Sequence, residues 1–223
     1  MSYGRAFTLW RDACAPDWDA YARHAFVAGL GDGTLPQPAF HRYLVQDYVF
    51  LVHFARAWAL AVVKAETLEE MQAAAATVAA LTQTEMRLHV ETCAGLGIPE
   101  AALFTAEERP ATLAYTRYVL DSGLAGDFAD MMAALAPCVL GYGEIGARLA
   151  REASSDRYAA WIAVYGGAEY QSLCHQTGQL IDGALARRIG EDFTAAPRWD
   201  RLTHRFRTAT RLEAAFWQMG LTG

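Results

Sequence analysis

PAFHRYLVQDYVFLVHFARAWALAVVK, residues 38–64, carries its apolar and aromatic residues at helical rather than alternating spacing. Tyr43, Asp47, Phe50 and Phe54 follow one another at three- or four-residue intervals, which puts them on one stripe of a single long helix. The same period recurs on both sides of this segment, and alternating β-branched runs are nearly absent. Residues 68–94 are alanine-rich and built of strong helix formers, with Gly95, Gly97 and Pro99 as the stop. Further helices are expected at 5–28, 110–122, 127–151, 155–164, 168–189 and 197–219. GLGDGTLP at 29–36 reads as a loop and DSGLAGD at 121–127 as a short turn. YGG at 165–167 reads as a helix end in which Gly166 or Gly167 takes the left-handed conformation. No internal repeat or low-complexity linker divides the chain. The expectation is one all-α domain of about eight helices over residues 1–223.

Composition narrows the function. The 223 residues are 53% hydrophobic and 20% charged, enough chain to bury a sizeable core. Net charge is −6 and no cluster of five or more Lys and Arg occurs, which disfavours a groove for nucleic acid. The N-terminal MSYGRAFTLWRDAC lacks the apolar core and cleavage site of a signal peptide. No uncharged apolar run of about 18 residues marks a membrane span, so a cytoplasmic location is expected. Cys14, Cys93, Cys138 and Cys174 include no C-x-x-C pair, and in a reducing compartment they read as free thiols.

A second stretch carries the chemistry. AALAPCVLGYGEIG, residues 133–146, is a buried-helix pattern interrupted by Pro137 with Cys138 directly after it. Proline has no N–H, so the Ala133 carbonyl loses its helical partner and a kink is expected there. A buried cysteine is ordinarily a small hydrophobe. Here, however, Tyr142 lies four residues on, on the same stripe, and Gly141, Gly143 and Gly146 leave room for a close neighbour. Two acids pose a related question. Asp47 sits among Tyr43, Phe50 and Leu51, and Glu213 precedes Phe216 and Trp217 by three and four residues. A carboxylate buried on such a face without a partner costs about 1–3 kcal/mol or more. The alternatives are a ligand-binding edge or masking by a neighbour, Arg42 or His53 for Asp47 and Arg211 for Glu213. Tyr115, Tyr118, Tyr142, Tyr165 and Tyr170 read singly as core residues and together as walls for a flat aromatic ligand.

Other chemistries find less support. A two-iron bundle site needs Glu-x-x-His pairs, whereas Glu85 and His89 are four apart, so no metal site is expected. Neither GxxxxGK[ST] nor a strand-linked GxGxxG occurs, which excludes the common nucleotide folds.

Taken in order, GLGDGTLP, YLVQDYVFLVHFARA, TEMRLH, APC, WIAVYGG and LEAAFWQMG resemble the TenA family, the thiaminase II group, from about His24 to Met219. The resemblance implies a haem-oxygenase-like helical bundle without haem or other cofactor, assembled as a homotetramer. It implies hydrolysis at the methylene carbon of an aminopyrimidine, either thiamin or 4-amino-5-aminomethyl-2-methylpyrimidine, to the 5-hydroxymethyl compound in thiamin salvage. By position, the nucleophile falls on Cys138, the substrate anchor on Asp47, the catalytic carboxyl on Glu213, and the pocket tyrosines on Tyr115, Tyr142 and Tyr165. Phe50 stands where the family often has Tyr and keeps the ring without the hydroxyl. Asp47 and Glu213 could exchange the roles of anchor and acid. The competing readings are a non-catalytic binding protein for an aromatic metabolite and a metal-dependent oxidase on the same scaffold.

Overall fold

The computed structural model describes residues 2–223, and among them every regular element is helical. The elements are α1 (Arg5–Ala13), α2 (Ala15–Ala22), α3 (Ala25–Asp32), α4 (Gln37–Lys64), α5 (68–95), α6 (Glu100–Phe104), α7 (Pro110–Ala125), α8 (Phe128–Glu152), α9 (Ala159–Gly166), α10 (Ala168–Ile189) and α11 (Trp199–Thr222). Two of these rods contain a wider π-turn, Leu81–Glu85 in α5 and Pro137–Gly141 in α8.

Eleven helices stand where about eight were expected, and the surplus has local causes. The 5–28 segment divides because Pro16, in the first turn of α2, cannot donate to the helix before it. His24 then caps α3, its Nδ1 accepting from Phe26 N at 3.2 Å. α3 runs on through GLGD, so the 29–36 loop begins only at Gly33, whose φ of 76° ends the helix left-handed. The short α6 adds the third extra element. YGG also differs from expectation: Gly167 is extended, and neither Gly166 nor Gly167 has positive φ. Gly166 instead permits contact, since a Cβ there would lie 2.8 Å from Gly146 O, and one on Gly146 would strike Tyr165. The two glycines let α8 and α9 cross backbone to backbone.

α11 lies at the centre, packed on α2, α4, α7 and the first half of α8, while α5 and α7 flank α4. Aromatic pairs fill the seams: Trp10 stacks on Trp199 at 5.7 Å and Phe26 on Trp217 at 4.9 Å between ring centroids. By length and composition α8 could cross a membrane, yet 89% of its most apolar window is buried inside the bundle, as in a core helix. The N-terminus of α1 is closed from a distance, with Arg5 N and Ala6 N donating to the Asp182 carboxylate of α10 at 2.7 and 2.8 Å.

One end of the bundle is tied by buried charge. Asp130, 1% exposed, accepts from Arg198 Nη2 at 2.8 Å and from Arg205 Nε at 2.7 Å, and completes the cap of α8 with Asp127. Asp130→Ala is expected to destabilise the fold by about 3–5 kcal/mol, because it strands partly buried guanidinium groups. Chemical denaturation measures the loss.

Candidate active site

Asp47 and Phe50 share the inner stripe of α4, and Leu51, Phe54 and Trp58 continue the wall they begin. Across from them α8 supplies Cys138, Val139 and Tyr142, and Tyr165 and Tyr170 close the side. These residues enclose a cavity of about 330 Å³. It leads outward between α5 and α10, where the lining residues Ala76, Ala80, Leu173 and Gln176 are exposed.

Pro137 does not break α8. It opens the π-turn that also holds Cys138, a device that leaves backbone carbonyls without their usual helical partners. Side chains take them up: Tyr21 donates its hydroxyl to Pro137 O at 3.3 Å, and Tyr170 donates to Val139 O at 3.2 Å. The thiol sits on a braced turn, half-buried, against the carboxyl of Glu213. Burial pushes the thiol far above its ordinary range, and the Glu213 and Asp47 carboxyls push it further. At neutral pH Cys138 is therefore a neutral thiol, whose use as a nucleophile requires a proton acceptor.

Glu213 and Tyr115 are not in the cavity wall. Glu213, 1% exposed, lies immediately behind Cys138, and Tyr115 donates to its Oε1 at 2.8 Å. Burial raises the Glu213 carboxyl to about 8, with Asp47 adding to the rise and the Tyr115 and Cys138 contacts opposing it. Asp47 is raised less, to about 6, by burial and by Glu85, while His89 and Tyr43 hold it down. Near pH 7 the pair thus consists of one predominantly ionised and one predominantly protonated carboxyl. Tyr115 also supports Phe50, whose ring centroid is 5.0 Å away.

The maskers considered for the two acids pair elsewhere. Arg42 donates to Gly220 O and Leu221 O, His53 pairs with Glu108 at 3.0 Å, and Arg211 pairs with Asp17 at 2.8 Å. The partner of Asp47 is His89, with Nδ1 3.7 Å from Oδ2 and Nε2 2.8 Å from Leu44 O. Tyr43 also belongs to the site: its hydroxyl accepts from Trp161 Nε1 at 3.3 Å and interacts with Asp47, Tyr142 and Tyr165. Tyr142 and Tyr165 meet edge to face at 5.0 Å, and Tyr165 and Tyr170 at 4.9 Å. Tyr43, Glu85, His89 and Trp161 were not singled out as site residues from sequence, although Tyr43 shares the Asp47 stripe and TEMRLH contains Glu85 and His89. Among the described residues no group of three or more His, Cys, Asp and Glu side chains is placed to hold a metal ion.

Fold and cavity together define a helical-bundle protein with an aromatic-walled cavity bordered by a thiol and two carboxyls. The chain belongs to the TENA/THI-4/PQQC family, whose sequence profile matches residues 11–223. It is 35% identical over 207 residues to the aminopyrimidine aminohydrolase of Halalkalibacterium halodurans, covering 92% of this chain and 90% of that one. A crystal structure from Silicibacter sp. TM1040, described as a TenA family transcription regulator, superposes with a TM-score of 0.98 at 58% identity, over 99% of this chain and 98% of that one. A domain of unknown function from Shewanella denitrificans with a haem-oxygenase-like fold superposes with a TM-score of 0.71 at 13% identity, over 95% and 90% of the two chains, a likeness of fold.

Proposed function

We propose that this protein hydrolyses aminopyrimidines, taking 4-amino-5-aminomethyl-2-methylpyrimidine or thiamin to the 5-hydroxymethyl compound, with Cys138 as nucleophile. The observation that carries the reading is the Cys138–Glu213 contact behind an aromatic-walled cavity that Asp47 also faces. The aminohydrolase name of the relative from Halalkalibacterium halodurans supports it.

A direct displacement at the methylene is hard, because the leaving nitrogen must depart from a primary carbon. Addition of sulfur to the ring carbon beside a ring nitrogen divides the reaction into easier steps. The thiol is neutral, so its proton passes to Glu213 as the S–C bond forms, and Glu213 places a proton on the ring nitrogen; no free thiolate accumulates. The electron pair of that nitrogen then expels ammonia, or the thiazole, from the exocyclic methylene. Water adds to the methylene and gives up a proton. Loss of sulfur with return of the ring proton restores the aromatic ring and the thiol.

In this reading Asp47, ionised near neutral pH, accepts hydrogen bonds from the 4-amino group and fixes the ring face that meets Cys138. Glu213, protonated, is the acid. Phe50, Tyr142 and Tyr165 supply apolar and phenolic walls for the ring, and Tyr115 holds Glu213 in place. A product assay with the aminomethylpyrimidine and thiamin side by side tests the proposal: formation of the hydroxymethyl compound is expected. Tight binding without product over a long incubation would favour a binding protein instead.

A further inference from the structure

Glu85 closes the π-turn of α5 and lines the cavity on the side that leads outward. Among the described residues it has no ion pair or hydrogen bond to another side chain. It is exposed where it borders the cavity, its charge adds to the upward shifts of Asp47, Cys138, Tyr165 and Tyr170, and His89 is the basic group that acts on it. Among the described residues no Lys or Arg lines the cavity, whereas Asp47 and Glu85 line it and Glu213 lies just behind. His89 is already engaged by Asp47 and by Leu44 O. The rest of the outward wall is alanine, leucine and threonine with one glutamine, which offers no counter-charge. Asp47, Cys138 and Glu85 line one cavity, so a ring seated against the first two shares that space with Glu85.

We propose that Glu85 determines specificity for substrates whose 5-methylene group carries a cationic nitrogen, either a protonated amine or a quaternary thiazolium. This inference rests on the aminopyrimidine reading of the site and assigns Glu85 the leaving group rather than the ring. A carboxylate bordering an otherwise apolar cavity attracts a cation and gives no advantage to a neutral group of similar size.

The test is calorimetric binding of three ligands with the same ring: the 5-aminomethylpyrimidine, thiamin and the neutral 5-methoxymethylpyrimidine. Binding is measured in Cys138→Ala protein, to keep the ligands intact, with and without Glu85→Gln. The glutamine variant is expected to bind the two cationic ligands roughly tenfold more weakly and the neutral one within about twofold. Glu85→Asp should recover most of the preference. Equal weakening of all three ligands would assign Glu85 a structural role and overturn the inference, as would unchanged binding of the cations. The product assay on wild-type protein reads the hydrolase proposal separately. Glu85-dependent binding without product defeats that proposal alone, and product with Glu85-independent binding defeats this inference alone.

Discussion

Cys138→Ala is expected to lower kcat/KM for the aminomethylpyrimidine by on the order of 10³-fold or more while leaving the affinity for the hydroxymethyl product nearly unchanged. The side chain is half-buried, so its loss opens little new cavity and costs the fold little. The groups expected to bind the ring, Asp47, Tyr142 and Tyr165, keep their places on α4, α8 and α9. What disappears is the one group that can add to the ring. An unchanged rate would rule out covalent catalysis by this thiol. A parallel loss of affinity would mean that the sulfur acts mainly by packing against the ligand.

Glu213→Gln is expected to cut kcat about 10²- to 10⁴-fold, the range for loss of a positioned proton donor. The pH profile identifies the role more sharply. If Asp47 must be ionised and Glu213 protonated, wild-type kcat/KM rises through about pH 6 and falls through about pH 8, and glutamine removes the alkaline limb. Loss of the acid limb instead would exchange the roles of the two acids. Stability should move the other way. The folded-state Glu213 carboxyl is raised from 4.5 to about 8, so the folded protein holds a proton that the unfolded chain releases. That contribution is fully present below pH 4.5 and is lost as pH rises through about 8. Glutamine removes the ionisable group and still accepts from Tyr115. The stability gained over wild type should therefore grow from pH 4.5 to 8 and level off above, reaching several kcal/mol. Thermal melts at pH 5 and pH 9 measure it.

Much of this site was legible in the sequence, for reasons that can be named. Tyr43, Asp47, Phe50 and Phe54 form a stripe because helix period is written directly in residue spacing, and Cys138 and Tyr142 share the π-turn region that borders the cavity. The π-turn of α8 left no comparable mark, since one extra residue in a turn does not disturb a pattern that is apolar on nearly every side. Glu85 and His89 read in the sequence only as a pair wrongly spaced for a two-iron site, because spacing within α5 says nothing about which neighbour that face meets. GLGDGTLP looked like a loop because glycine and proline punctuate loops. Gly29 is there for a different reason: a Cβ would lie 2.9 Å from Leu35 N, where the chain folds back on α3. Gly166 and Gly167 read as alternative left-handed stops; neither is one, and Gly166 serves instead as clearance for α8.

The turn at Pro137–Gly141 acts as a phase slip within one rod. Upstream of it α8 presents the face that meets α11 and α7, and downstream the face that meets α9. Deleting one residue there would bring the rod back into step and swing everything after it by about 100° about the axis. Tyr142 would leave the cavity wall and Gly146 would turn away from Gly166. A single inserted residue thus sets both the reactive pocket and the docking of α9, and a relative without it would have to build the two by different means.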